Sequence, residues 1–432
     1  MINPSLISEK FIHFVWQYQL FHKAVYLVSG ELLEVLNPGM LNLDSGPDFL
    51  SAKIRIGRTL WVGNVEIHIN ASDWKKHKHD NDKAYDSVVL HVVLNSDCSI
   101  YRLNGIEIPC LNLAHTIPDS VFTTYQKMLL SEKPYCANMI SSVPVFNITK
   151  WLERMGVERL TTKSCICDKE LVYRQNSWEE CFFTFLCRAF GGKVNQDPFE
   201  CLSRIVPIKA LAKQKNNLED IEAILFGQAG FFCEEQRIKI HDKYYNHLVA
   251  NYKHLKNKYG LEEMDFKYWK FMRMRPGNFP SIRLAQLAFL IHSSSHLFRQ
   301  TIEAEKVDDL FRLMACTASS YWDTHFRFGV ESKNRKKRLG RGSQLSIVIN
   351  GIIPLMFLYG KRKAKPEVVD KALSFLDSLP VEKNAIVQKF QKIKMPLFSA
   401  MHSQAVLHLY KNYCLQKRCL DCGIGYYLLR ME

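Results

Sequence analysis

The chain has 432 residues, 47% hydrophobic and 23% charged, a balance that excludes a disordered protein, a collagen-like fibre and a small disulfide scaffold. Lys and Arg outnumber Asp and Glu by 58 to 43, a formal charge of +15 that favours a polyanionic partner such as DNA or RNA. The 13 cysteines, with Glu9 and Lys10 interrupting any apolar leader, fit reduced cytoplasmic thiols rather than a disulfide framework.

In chain order, residues 5–22 predict a helix whose apolar face carries Phe11, Phe14, Val15 and Leu20. Strands are expected over 31–36, 49–56 and 60–69, with the turn-forming NPGMLNLDSGPDF between the first two. The polar stretch 72–86 has room for a short helix, VVLHVVL (88–94) reads as a buried strand, and a hairpin turns at Asn104-Gly105. From about residue 116 the pattern becomes helical, with candidate helices at 147–156, 177–190, 218–227, 241–258, 281–299, 306–322, 366–378 and 400–413. The fold class is therefore α+β: a mixed β-sheet domain over 1–115, a linker over 116–146 broken by Pro118, Pro134 and Pro144, and a larger helical domain over 147–432. The most apolar stretch, 345–359, is too short to span a bilayer and contains Asn350, Gly351 and Pro354, so no membrane partner is expected.

The chemistry concentrates between Asn37 and His91. Asp48 opens one strand, and Glu66 and His68, two apart on the next, share a face. Two carboxylates beside an imidazole can hold a divalent cation, and oxygen ligands suit Mg²⁺ or Mn²⁺. His68, His77, His79 and His91 permit a rival, a zinc-dependent hydrolase of a small molecule, because imidazole suits Zn²⁺. His77 and His79 share a face only if the chain between them is extended; in a helix they diverge.

Pro47-Asp48, a spacer of 17 residues and Glu66-x-His68 resemble the signature of the PD-(D/E)XK nuclease superfamily, and the order helix, three strands, helix, strand resembles its core. The resemblance implies a restriction-endonuclease-like sheet, Asp48, Glu66 and His68 as catalytic residues, Glu9 as a further metal ligand, and metal-dependent phosphodiester hydrolysis. His68 stands where that superfamily usually has Lys, a residue that helps position the attacking water. A non-catalytic nucleic-acid-binding or scaffold protein on a degenerate nuclease fold is the alternative. Longer phrases, NxxSGPDF (42–49), GNVEIHINASDWKKHKHDNDKAY (63–85), VVLHVV (88–93), EAILFGQAGFF (222–232), RMRPGNFPSIRLAQLA (273–288) and CxxxxCxxCxIG (414–425), resemble one bacterial family, DUF2851, which implies no particular activity.

Cys414, Cys419 and Cys422 lie within nine residues and suggest Zn²⁺ or a [4Fe–4S] cluster; Cys136 is the preferred fourth ligand, with Cys110 and His402 as other candidates. Arg335, Lys336, Lys337, Arg338 and Arg341 form a basic Gly-containing loop, and Arg273, Arg275 and Arg283 surround Pro276–Pro280. Both groups can contact phosphates without reading sequence, although a solvated charge run and a helix junction account for them equally. The chain lacks GxxxxGK[ST], GxSxG and HExxH, which argues against ATPases, common serine hydrolases and zincin proteases.

Overall fold

The computed structural model describes residues 7–22, 25–131 and 134–431. Its contacts divide the chain into two compact units. The first comprises Met1–Trp151, Ala385–Pro396 and Leu407–Glu432; the second comprises Leu152–Asn384 and Leu397–Val406.

The first unit opens with α1 (Glu9–Gln17), where the Ser8 hydroxyl accepts the Phe11 N–H at 3.3 Å and caps the first turn. Residues 5 and 6 of the expected helix lie outside the described residues. Phe11, Ile12, Val15 and Trp16 are buried, while Glu9 and His13, one turn apart, stay half-buried on another face.

The sheet is mixed, built from β1 (Val25–Tyr26), β2 (Leu32–Asn37), β3 (Met40–Leu41), β4 (Phe49–Ile56), β5 (Thr59–Asn70), β6 (Val88–Asn95) and β7 (Cys110–Asn112). Its order is β1-β2-β4-β5-β6-β7, with β3 beside β4. The pairs from β1 to β5 are antiparallel, whereas β5–β6 and β6–β7 are parallel. Alternating burial along β4 marks a sheet with one covered face at that point, and the unbroken buried run of β6 marks a strand covered on both faces. The parallel β5–β6 connection contains a single-turn helix α2 (Asp73–Lys76) and two 3₁₀ turns, His79–Asn81 and Lys83–Tyr85. The hairpin expected at Asn104-Gly105 is short: Arg102 N–H to Ile106 (2.9 Å) and Ile108 N–H to Ile100 (2.8 Å) close it, and the chain then joins the sheet as β7.

The stretch expected as a linker carries α3 (Asp119–Leu130) and 3₁₀ turns at Tyr135–Asn138 and Ile140–Ser142. Within the first unit, a π turn (Tyr410–Cys414) and a C-terminal helix (Gly423–Arg430) belong with the sheet: Tyr426 lies edge-on to Phe14 at 5.9 Å, and Lys10 pairs with Asp421 at 2.8 Å.

The second unit is largely helical, with Trp322 and Trp269 in its core and Trp178 stacked on Phe298, as expected of core aromatics. The helix expected over 147–156 is the start of α4 (Val145–Tyr173). The one expected over 281–299 breaks into Pro280–Ser293 and Leu297–Glu303, because His296 takes a left-handed φ of 52°. The helix expected over 306–322 ends at Leu313. The apolar stretch proves longer than expected: Arg341–Arg362 is one 22-residue helical run, long and apolar enough to cross a membrane. Its most apolar window is 67% buried inside the structure, as in the core helix of a folded unit.

A candidate metal centre on the mixed sheet

The loop before β4 is built around Asn42, whose side-chain amide donates to the carbonyls of Pro47 (3.0 Å) and Ser45 (3.2 Å). Its Oδ1 accepts the Asp44 N–H at 3.0 Å, and its backbone N–H bonds Asp48 O at 2.7 Å. This framework delivers Asp48 to the head of β4, next to a bulge where Ser51 has φ 58° and donates its N–H to Asn64. Asp48 Oδ2 accepts the Ile67 N–H at 2.9 Å, and the Asp48 N–H donates to Glu66 Oε2 at 3.1 Å. Each of the two carboxylates that the sequence placed on neighbouring strands thus accepts a backbone N–H at or next to the other residue.

Glu66 and His68 face the same way along β5, and the parallel register sets His91 of β6 opposite Glu66. Nδ1 of His68 and Nε2 of His91 share a hydrogen bond of 2.9 Å, which turns Nε2 of His68 toward the centre of the cluster. There it lies 3.1 Å from His77 Nδ1 and 3.6 Å from Glu66 Oε1, while His79 Nε2 lies 3.3 Å from the same Glu66 oxygen. His77 and His79 reach the centre together because Lys78 between them is left-handed (φ 62°, ψ 31°), a fold-back that neither a helix nor a strand provides. Trp74 and Tyr85 wall the cluster, Tyr85 stacking on His79 at 3.8 Å.

Ligands about 2.1 Å from a common ion stand about 3.0–3.4 Å apart in octahedral or tetrahedral geometry. The His68–His77 (3.1 Å) and His79–Glu66 (3.3 Å) separations match that spacing, His68–Glu66 is slightly longer at 3.6 Å, and the three imidazole ligand atoms all lie within 4.8 Å of one another. Burial of His68, half-burial of His79 and exposure of His77 give the centre a wall and a mouth.

The electrostatics suit a divalent cation. Burial, then the charge of Asp48, pushes the Glu66 carboxyl up to about 9. Burial, then the neighbouring His91, His79 and His77, pushes His68 down to about 3, and burial with His79 pushes His91 down to about 4. Glu9 is raised by burial and by Asp48. Near neutral pH His68 and His91 are therefore uncharged and Glu66 is protonated, and a divalent ion would deprotonate Glu66. The sequence reading omitted His13, whose buried Nε2 lies 3.2 Å from Asp48 Oδ2 in an orientation that makes no hydrogen bond. Its signal was the four-residue spacing from Glu9 on one helix.

The cysteines form a second cluster. Cys136, Cys414, Cys419 and Cys422 line one pocket of the first unit, whereas Cys110 sits on β7 and His402 belongs to the second unit. Burial, then the neighbouring thiols Cys422 and Cys419, pushes Cys136 up to about 12. Cys422 is up at about 11 by burial, moderated by N–H bonds from Gly425 and Ile424. Cys167, Cys181, Cys187 and Cys316 are buried core residues, while Cys165 and Cys201 are exposed.

The basic residues separate into two kinds. Arg273, Arg275, Arg335, Lys336, Arg338 and Arg341 are exposed. Arg283 is buried and donates to Asn278 (2.7 Å), Ser343 (2.7 Å) and Gln286 (3.0 Å), and Lys337 is buried with its ammonium on the Asp323 carbonyl at 3.0 Å. These two hold the helix junction and the loop together through hydrogen bonds within the fold.

No curated protein matches the chain. No solved structure matches it either. A family model described as Protein of unknown function (DUF2851) matches residues 9–385, stopping short of Cys414, and on that match over most of its length the chain belongs to this family.

Proposed function

We propose that the first unit is a metal-dependent phosphodiester hydrolase acting on nucleic acid. The observation that carries the reading is the convergence of His68, His77 and His79 within 4.8 Å of one another, with Glu66 Oε1 3.3 Å from His79 and 3.6 Å from His68, and with Asp48, Glu9 and His13 beside them. His77, His79, His68 and Glu66 would hold the ion, and the donor set favours Mn²⁺ over Mg²⁺ because three of the four ligands are imidazoles. A cation there would lower the pKa of a bound water and offset charge on a pentavalent phosphorus. His91 fixes the His68 ring, Asp48 anchors β4 to β5 through Ile67 and orients Glu66, and His13 Nε2, 3.2 Å from Asp48 Oδ2 without a hydrogen bond, is placed to exchange a proton there. The element order, three antiparallel strands followed by a short helix and a parallel strand, supports the PD-(D/E)XK resemblance. The +15 charge supports a nucleic-acid substrate.

A second reading, a zinc-dependent hydrolase of a small molecule, draws on the same imidazole count. One experiment separates them. Full-length protein is incubated with labelled DNA and RNA under Mg²⁺, Mn²⁺, Zn²⁺ or EDTA, beside Asp48→Ala and His79→Ala. Cleavage that needs metal and is lost in both variants, with retained salt-sensitive binding, supports the nuclease. Folded wild type that binds but never cleaves overturns it in favour of the non-catalytic scaffold. Stoichiometric zinc without salt-sensitive polyanion affinity overturns it in favour of the small-molecule enzyme.

A further inference from the structure

The four-cysteine pocket stands apart from the histidine centre and from the proposed hydrolysis. Its ligands come from two places in the chain: Cys136 from the 3₁₀ turn after α3, and Cys414, Cys419 and Cys422 from the returning C-terminal segment. Each position has a local cause. A π turn over Tyr410–Cys414 admits one extra residue per turn and swings Cys414 inward. Lys417, left-handed at φ 53°, reverses the chain, and its ammonium bonds the Ser131 carbonyl at the end of α3. Cys419 opens a 3₁₀ turn, and Cys422 is the N-cap of the last helix, where its sulfur receives the N–H groups of Ile424 and Gly425. A Cβ at Gly425 would stand 2.2 Å from the Cys419 carbonyl, so the backbone packs this closely only with glycine there.

We propose that Cys136, Cys414, Cys419 and Cys422 ligate a [4Fe–4S] cluster that joins the C-terminal segment to α3. The spacing of the sulfurs favours this over a single zinc ion. Four thiolates about 2.3 Å from one Zn²⁺ stand about 3.8 Å apart. Among the described residues, the group of three or more ligand atoms within 4.8 Å of one another is the histidine trio, so the sulfurs are spread more widely than one ion requires. An iron–sulfur cube, with one iron behind each thiolate, spreads its cysteine sulfurs to about 6 Å. The thiols are free rather than paired in disulfides. Ligation releases four protons to solvent, and four thiolates on a cluster core of charge 2+ leave a net charge of about 2−. Lys417 and Arg418 in the pocket wall oppose that charge, and the two N–H groups at Cys422 stabilise its sulfur as a thiolate.

The test needs no nuclease activity, so its failure and the failure of the hydrolase reading are distinguishable. Full-length protein is purified without oxygen and reconstituted with ferric iron, sulfide and dithiothreitol, the thiol reducing half of the iron to give the 2+ core, beside Cys136→Ser, the double variant Cys136→Ser/Cys422→Ser, and Cys201→Ser as an exposed-thiol control in the second unit. Iron, acid-labile sulfide and zinc are counted, and absorbance near 400 nm is followed on reduction. Wild type and Cys201→Ser are expected to hold about four iron and four sulfide per chain, with iron at least about twofold lower in Cys136→Ser and nearly absent in the double variant. One zinc per chain without sulfide overturns the proposal, as does wild type that takes up neither metal. Iron that persists in the double variant overturns the ligand assignment. Should that variant be insoluble, the wild-type stoichiometry decides between cluster and single ion.

Discussion

Single side chains at three positions set the sharpest expectations. Lys78 earns its place by conformation rather than charge: its left-handed backbone turns His77 and His79 onto one point. A β-branched residue there costs about 1–2 kcal/mol in that conformation. Lys78→Val is therefore expected to weaken Mn²⁺ or Zn²⁺ binding by about tenfold or more, and Lys78→Gly to leave it near wild type, as read by isothermal titration. His91→Leu removes the group that orients His68 and should lower metal affinity about 10–100-fold with little change in melting temperature. In the second unit, Glu222 is fully buried with Tyr244 donating to it at 2.8 Å, and burial pushes its carboxyl up to about 7. Because the folded pKa lies above the unfolded value, the folded state holds the extra proton between about pH 4.5 and 7, and stability falls as pH rises through that window. Glu222→Gln should flatten the profile and stabilise the second unit at pH 8 by up to about 3 kcal/mol. A variant that keeps the wild-type slope in urea unfolding at pH 5 and 8 rules Glu222 out as its source.

At the level of strands and helices, β5 and β6 carry the site, and they approach closely at Gly63, where a Cβ would stand 2.3 Å from a Val89 methyl and 2.8 Å from the Ser87 carbonyl. Gly63→Ala is expected to destabilise the first unit by about 1–3 kcal/mol, measured as a lower urea midpoint at unchanged slope. The strands themselves were legible: period-two burial in β4 and the apolar run of β6 fix their limits to within about a residue. The convergence of Asp48, Glu66 and His68 was legible for the same reason, since a strand period fixes which residues share a face. His77 and His79 were not, because their meeting depends on one left-handed residue that ordinary Lys chemistry does not announce. The helices of the second unit were legible as apolar periodicity but not in their ends, for the break at His296 and the π turn over Val348–Ile352 have no composition signal.

At the scale of the whole molecule, chain order misled more than composition did. Reading left to right assigns residues 147–432 to one helical block, yet segments 385–396 and 407–432 count with the sheet. Long-range packing such as Tyr426 against Phe14, or Gly423 on the face of Trp151, leaves no pattern in either local sequence. Ending the chain after Val406 should therefore make the first unit sensitive to trypsin while the second resists, and equal loss of both would refute this division. The same division has a temporal consequence. Residues 152–406 leave the ribosome between the sheet and the segment that completes its unit, an interval of roughly 10–50 s at about 5–20 residues per second. For that time the aromatic flank of α1 waits uncovered, and Cys136 waits without its three companions. The nascent first unit is thus the part of this protein that most needs a chaperone's shelter, and any metal at Cys136 is a late, post-translational delivery.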